Sequence, residues 1–86
     1  MFPSNNYWRK MTKAVAMFLH QSHLPGLVYR LMPSDKMGKY QVTLVINPSD
    51  SDAWAEFLRG QGFIFSIDSC HTLPGIRLVR VDNVKL

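Results

Sequence analysis

Residues 40–50 have the sequence YQVTLVINPSD, and this stretch decides the fold that we predict. Its first seven residues alternate as in a strand with one buried face. The inward side chains of this strand are Tyr40, Val42, Leu44 and Ile46. Asn47 then suits a helix cap, Pro48 the first helical position, and Asp50 the positive end of the helix dipole. The stretch therefore predicts a half-buried strand that passes directly into a helix.

The segment before this stretch predicts a second strand paired with the first. Residues 27–32 alternate, and turn-forming residues 33–39 separate them from residue 40, which is typical of an antiparallel hairpin. Strict alternation places Leu27, Tyr29 and Leu31 on one side of this strand. It places Val28, Arg30 and Met32 on the other side.

Two amphipathic helices are predicted by apolar residues at spacings of three and four. In the first helix, Ser4 or Asn5 is the expected N-cap, and residues 23–26 end the helix. Its buried stripe is expected to contain Trp8, Met11, Ala14, Val15, Phe18 and Leu19. In the second helix, Trp54, Phe57 and Leu58 form the stripe and Gly60 is the expected left-handed stop.

The chain closes with two further strands. Phe63, Phe65 and Ile67 are expected to face inward. Arg80 falls on the side of Ile76 and Leu78, which a bulge, or a sheet position covered on both faces, would reconcile. We predict helices over about 4–22 and 48–59 and strands over about 27–32, 40–46, 63–68 and 76–81. This single α+β domain is a two-layer sandwich of order α-β-β-α-β-β, with a mostly antiparallel four-stranded sheet and both helices on one face. It is a ferredoxin-like unit whose last helix and strand are moved to the front.

Composition restricts the class of protein. The 86 residues carry a formal charge of +4 and one cysteine, which excludes an internal disulfide framework. The longest apolar run, Ala14–Leu19, is far shorter than a membrane span, so we expect no membrane partner. Residues 1–4 lack the pattern of a secretory signal, and this favours a cytoplasmic protein.

The cations are the candidate partner-binding residues. Arg9, Lys10 and Lys13 lie in a helix without acidic residues, where the dipole disfavours them, and a solvated polar face is the alternative explanation. The predicted basic face contains Arg9, Lys10, Lys13, Arg30, Arg77 and Arg80. An acidic surface of a protein or nucleoprotein is the partner that this face predicts, with nucleic acid and a homodimer left open.

Material for catalysis or metal binding is sparse. His20, His23, Cys70 and His71 include the donor types of a zinc site, but their spacing matches no known zinc motif. Histidines at a helix end also interact favourably with the dipole. We therefore predict no metal, no cofactor and no catalytic residue.

Residues 59–65, with the sequence RGQGFIF, resemble the RNP1 motif of RNA-recognition domains. The motif departs from RNP1 at Gln61 and Ser66, which stand at aromatic positions. The alternative is that Gly60 ends the helix while Phe63 and Phe65 pack inward.

The favoured function is a small non-catalytic regulator that docks on a larger protein or nucleoprotein and modulates or inhibits it, as inhibitors carried by mobile elements do. Five methionines, two tryptophans and the cations supply residue types that anchor interfaces. The first alternative is an RNA- or DNA-binding module that uses a basic face. The second is a toxin-like nuclease with His20, His23 or His71 as general acid or base.

Overall fold

Two helices and a four-stranded antiparallel sheet make up residues 5–86, the part of the chain that the computed structural model describes. The element order is α-β-β-α-β-β, as predicted, and the whole is one small α+β domain. The helices are α1 (Asn5–Val15), continued by a π-helical turn (Ala16–His20), and α2 (Ser51–Gly60), preceded by a 3-10 turn (Pro48–Asp50). The strands are β1 (Leu27–Pro33), β2 (Lys39–Ile46), β3 (Ile64–Ser69) and β4 (Arg77–Lys85).

The strand order in the sheet is β1-β2-β4-β3, and every neighbouring pair is antiparallel. Strands β2 and β3 are therefore parallel to each other with β4 between them, and α2 connects them. This split β-α-β arrangement confirms the permuted ferredoxin-like topology.

The core lies between the helices and one face of the sheet. Both helices contribute to a single cluster of buried residues, which confirms that they lie on the same face. The cluster consists of Ala14, Phe18, Val28, Leu31, Val42, Leu44, Ile46, Trp54, Leu58, Val79, Val81 and Val84. The opposite face of the sheet, here called the open face, is covered by no element of residues 5–86.

Strand β1 departs from strict alternation. Its register with β2 shifts between Val28 and Arg30, so that Val28 pairs with Leu44 and Arg30 pairs with Thr43. Both Val28 and Leu31 are buried, whereas the predicted alternation placed them on opposite sides. A bulge at Tyr29 supplies the extra residue that lets both apolar side chains reach the core.

Strand β4 is longer than predicted and contains a second irregularity. Val79 and Val81 face the core, and Leu78 and Arg80 line a depression on the open face. The register with β2 then shifts, and Asn83 has a positive φ of 55°. This shift returns Val84 to the core.

Helix α1 differs from the prediction in its buried stripe and at its end. Trp8 is 53% exposed, because Tyr7 takes the position that faces β1 and lines a hollow there with Leu31. The left-handed residue after the helix is His23, with φ 57°, and not Gly26. The expected caps, Ser4 and the Asn5 side chain, lie outside the described part of the chain.

The sequence predicts the buried residues of helix α2 correctly, but not the residues that cap its two ends. Asn47 makes no side-chain cap; its carbonyl accepts from the amide of Asp50 at 3.0 Å. Gly62, and not Gly60, adopts the left-handed conformation, at φ 78°. The amides of Gly62 and Phe63 donate to the carbonyls of Arg59 and Leu58, both at 3.0 Å, which is a Schellman motif.

The segment that resembles RNP1 is explained by this helix end. Phe63 and Phe65 pack against the core, and the rings of Phe63 and Phe18 lie 5.3 Å apart. Neither aromatic side chain is presented on the open face, which is where a base would stack. The structure thus favours the packing alternative for residues 59–65.

Trp54 joins α2 to the connection between α1 and β1. Its side chain is fully buried, and its Nε1 donates to the carbonyl of Pro25 at 3.0 Å. A Cβ at Gly26 would lie 3.3 Å from both Trp54 and Ile46, so a glycine at this position lets the backbone approach the indole closely.

The two tryptophans provide a matched stability test. We expect Trp54→Phe to lower the free energy of unfolding by about 2 kcal/mol, because it shrinks a buried side chain and leaves the Pro25 carbonyl unpaired. Trp8→Phe should change it by less than about 0.5 kcal/mol, because Trp8 is largely exposed. Urea unfolding followed by circular dichroism measures both, and equal losses would contradict the assignment of Trp54 to the core.

Candidate functional site

The outward side of α1 carries an exposed aromatic ring among cations. Trp8, Arg9, Thr12 and Lys13 line a shallow hollow on this side, here called the α1 outer face. Helical spacing brings Trp8 next to Thr12, whose hydroxyl donates to the Trp8 carbonyl at 2.9 Å. The rings of Tyr7 and Trp8 meet edge to face at 5.6 Å, which steadies the indole.

The cations of the α1 outer face lack acidic partners. Helix α1 contains no Asp or Glu, and the one ion pair among the side chains of residues 5–86 joins Arg80 to Asp68. Arg9 and Lys13 are both exposed. Their charges are therefore available to a ligand from outside the domain.

Lys10 has an intramolecular role that the sequence did not reveal. Its Nζ donates to the carbonyl of Leu86 at 2.6 Å and lies 5.8 Å from the centre of the Tyr40 ring. Lys10 thereby links α1 to the residue that follows β4, and it is only partly exposed.

The open face of the sheet forms a second surface. A depression of about 460 Å³ lies there, and its floor follows the paired strands. It is lined by Tyr29, Arg30, Gln41, Thr43, Asp68, Ser69, Cys70, His71, Leu78 and Arg80. The register aligns Arg30, Thr43, Arg80 and Ser66 in one row across the four strands.

The six predicted cations do not form one basic face. Arg9 and Lys13 lie in the helix layer, whereas Arg30 and Arg80 line the open-face depression. Arg77 pairs with the buried Ile46 and lies half-buried on the helix side of the sheet, where its guanidinium donates to the carbonyl of Ile76 at 3.3 Å. The sheet separates Arg9 and Lys13 from Arg30 and Arg80, because α1 packs on the face of the sheet opposite to the open face.

The histidines and the cysteine are likewise divided. Cys70 and His71 line the open-face depression, whereas His20 and His23 lie at the end of the first helix. Within residues 5–86, no three His, Cys, Asp or Glu side chains are placed to hold a metal ion.

Tyr29 and Thr43 are among the residues of the depression that the sequence did not identify as candidates. Tyr29 was assigned to the same side as Leu31, and Thr43 carried no motif. The signal that could have found Tyr29 is the buried pair Val28 and Leu31, whose spacing of three fits a strand only with a bulge. Thr43 is identified only through its cross-strand neighbours.

The thiol of Cys70 is activated by its loop. The Thr72 hydroxyl, 3.3 Å from Sγ, and the backbone N–H of Leu73 lower the pKa of the Cys70 thiol, because hydrogen bonds to sulfur favour the thiolate. The Cys70 thiol therefore ionises at lower pH than an ordinary cysteine thiol does.

Comparison of the chain with protein-family models, with curated proteins and with solved structures finds no match. Helices long and apolar enough to cross a membrane do not occur between residues 5 and 86. The structure thus has one accessible surface on each layer of the sandwich, and the Cys70 thiol lines the second.

The activation of Cys70 can be measured by alkylation. We expect Thr72→Val to raise the pKa of the Cys70 thiol, so that iodoacetamide reacts more slowly at pH 7.5, where the thiolate fraction is then smaller. Thr12→Val, which alters a threonine in α1, should leave the rate unchanged. An unchanged pH profile in Thr72→Val would show that the hydroxyl does not stabilise the thiolate.

Proposed function

We propose that this protein is a non-catalytic regulatory binding protein that docks through the α1 outer face on an acidic surface of a larger protein or nucleoprotein. The carrying observation is Trp8, which is 53% exposed beside two cations, Arg9 and Lys13, that have no acidic partner in residues 5–86. Docking modulates or inhibits the larger assembly. The protein acts in the cytoplasm and needs no cofactor.

The energetics of the α1 outer face support docking. Trp and Arg dominate binding energy at protein interfaces, because they bury a large area and satisfy directed hydrogen bonds at once. The Thr12 hydroxyl already bonds to the helix, and the Trp8 ring already contacts Tyr7. The indole therefore needs little further ordering on binding, which lowers its share of the entropic cost of association.

The distribution of charge supports an acidic partner. Helix α1 carries three cations and no acid, whereas residues 48–60 carry Asp50, Asp52 and Glu56 against Arg59. The helix layer is thus polarised, positive on α1 and negative on α2. An acidic surface that contacts α1 therefore meets charges of the opposite sign.

The nuclease alternative has less support from the geometry. His71 lines the open-face depression, and His20 lies in the helix layer, so the sheet separates them. His20 and His71 therefore cannot act as an acid–base pair on one substrate. Non-catalytic docking therefore remains our proposal.

Capture of partners from native lysate of the source cell, with and without nuclease, tests the proposal. We expect Trp8→Ala and the pair Arg9→Glu with Lys13→Glu to reduce the captured partner at least about tenfold, because each removes an interface anchor. The matched control reverses two exposed cations elsewhere, Lys36→Glu with Arg59→Glu, and should leave capture unchanged. Circular dichroism verifies that all the variants are folded.

Two results would contradict docking on a larger partner through α1. One is capture that survives both the Trp8 and the Arg9–Lys13 changes. The other is self-association that the same changes abolish, because α2 of a second copy would then be the acidic surface. Sedimentation at increasing protein concentration distinguishes the second result.

A further inference from the structure

The bulge in β1 presents two neighbouring side chains on the open face. Tyr29 and Arg30 both line the depression, although consecutive residues of a regular strand point to opposite faces. Tyr29 is 61% exposed and contacts no other aromatic ring among residues 5–86. The bulge therefore holds a flat ring and a guanidinium side by side at the edge of the depression.

Thr43 lies at the middle of the same surface with an unused hydroxyl. Its residue surface is only 8% exposed, and the part that remains lines the depression. No hydrogen bond joins this hydroxyl to another group of residues 5–86, and every fully buried polar side-chain atom there has a partner, so the hydroxyl oxygen reaches the surface. The hydroxyl is therefore accessible from the depression and free to donate to a ligand group there.

Two arginines flank this hydroxyl. Arg30 on β1 and Arg80 on β4 are the direct cross-strand neighbours of Thr43, so their Cα atoms lie about 10 Å apart. Arg80 is positioned by Asp68, whose Oδ2 accepts from Nη2 at 2.8 Å. Arg30 has no acidic partner within residues 5–86. The row around Thr43 therefore has one net positive charge and a free hydroxyl donor, which suits an anion.

We propose that the open face binds single-stranded nucleic acid, with a phosphate held at Thr43 between Arg30 and Arg80 and a base stacked on Tyr29. This proposal goes beyond the docking function, because it uses the opposite layer of the domain and a different ligand. Arginine suits phosphate through its planar array of donors, and an exposed aromatic ring accepts any base.

The exposure of the surface decides between forms of nucleic acid. The side chains of Arg80 and Asp68 are 50% and 46% exposed, so the depression cannot enclose a free nucleotide, whose binding site would bury most of it. A duplex keeps its bases stacked and offers none to Tyr29. A single strand supplies both an accessible base and consecutive phosphates along the sheet.

Fluorescence anisotropy with labelled oligouridylate and oligothymidylate of about ten nucleotides tests the proposal on the full chain. We expect binding at about 50 mM salt that weakens as salt is raised. Tyr29→Ala should weaken binding at least about fivefold. Arg30→Gln should weaken it and lower the slope of log affinity against log salt by about 0.7. Thr43→Val, which keeps the shape of the side chain, should weaken it as well.

Arg59→Gln is the matched control, because it removes an exposed arginine on α2, and Trp8→Ala tests independence from the α1 outer face. Both should bind like the unmodified chain.

The proposal is overturned by absence of oligonucleotide binding at low salt, or by equal losses in Arg30→Gln and Arg59→Gln. It is also overturned by unchanged binding in Tyr29→Ala, or by displacement with uridine monophosphate as effective as with the unlabelled strand. Thermal unfolding shows whether each variant is folded, and loss of α1 docking leaves this test unaffected.

Discussion

The buried indole of Trp54 is the contact on which the rest of the packing depends. It lies on α2, donates to the Pro25 carbonyl, and meets the backbone where α1 leads into β1. The first helix, the entry into the sheet and the second helix are thereby held against the same sheet face. Because both helices lie on one face of the sheet, the open face is left uncovered and forms the second surface of the domain.

The burial of the core and the composition of the open face are linked through the strand bulges. The core contains both Val28 and Leu31 of β1. Because the bulge inserts one extra residue between them, Tyr29 and Arg30 both line the open face. In β4 the shift near Asn83 likewise lets Val81 and Val84 both be buried. Two apolar residues that are three apart in a bulged strand can therefore both be buried in the core. The residues between them can then face the other side of the sheet.

The fold was predictable from the sequence because its signals are local. The strand through Val42 and Leu44, Pro48 at the helix start and the stripe through Trp54 each depend on neighbours in the chain. The errors arose where an element distant in sequence determines which side chains are buried. Trp8 is exposed because Tyr7 meets β1. Tyr29 lies on the open face because the register of β1 with β2 contains a bulge. The cations were recognisable by type. Thr43 was not, because its role depends on Arg30 and Arg80 from other strands.

A formal charge of +4 on a molecule of 35 × 29 × 25 Å produces only a weak field at a distance, since salt screens it within about 8 Å under physiological conditions. Recognition therefore depends on groups that touch the partner. Each candidate surface combines an exposed aromatic ring with a cation that has no acidic partner in residues 5–86: Trp8 with Arg9, and Tyr29 with Arg30. Because the sheet and the core lie between them, occupation of one surface leaves the other accessible, and a nucleoprotein is the kind of assembly that could engage both at once.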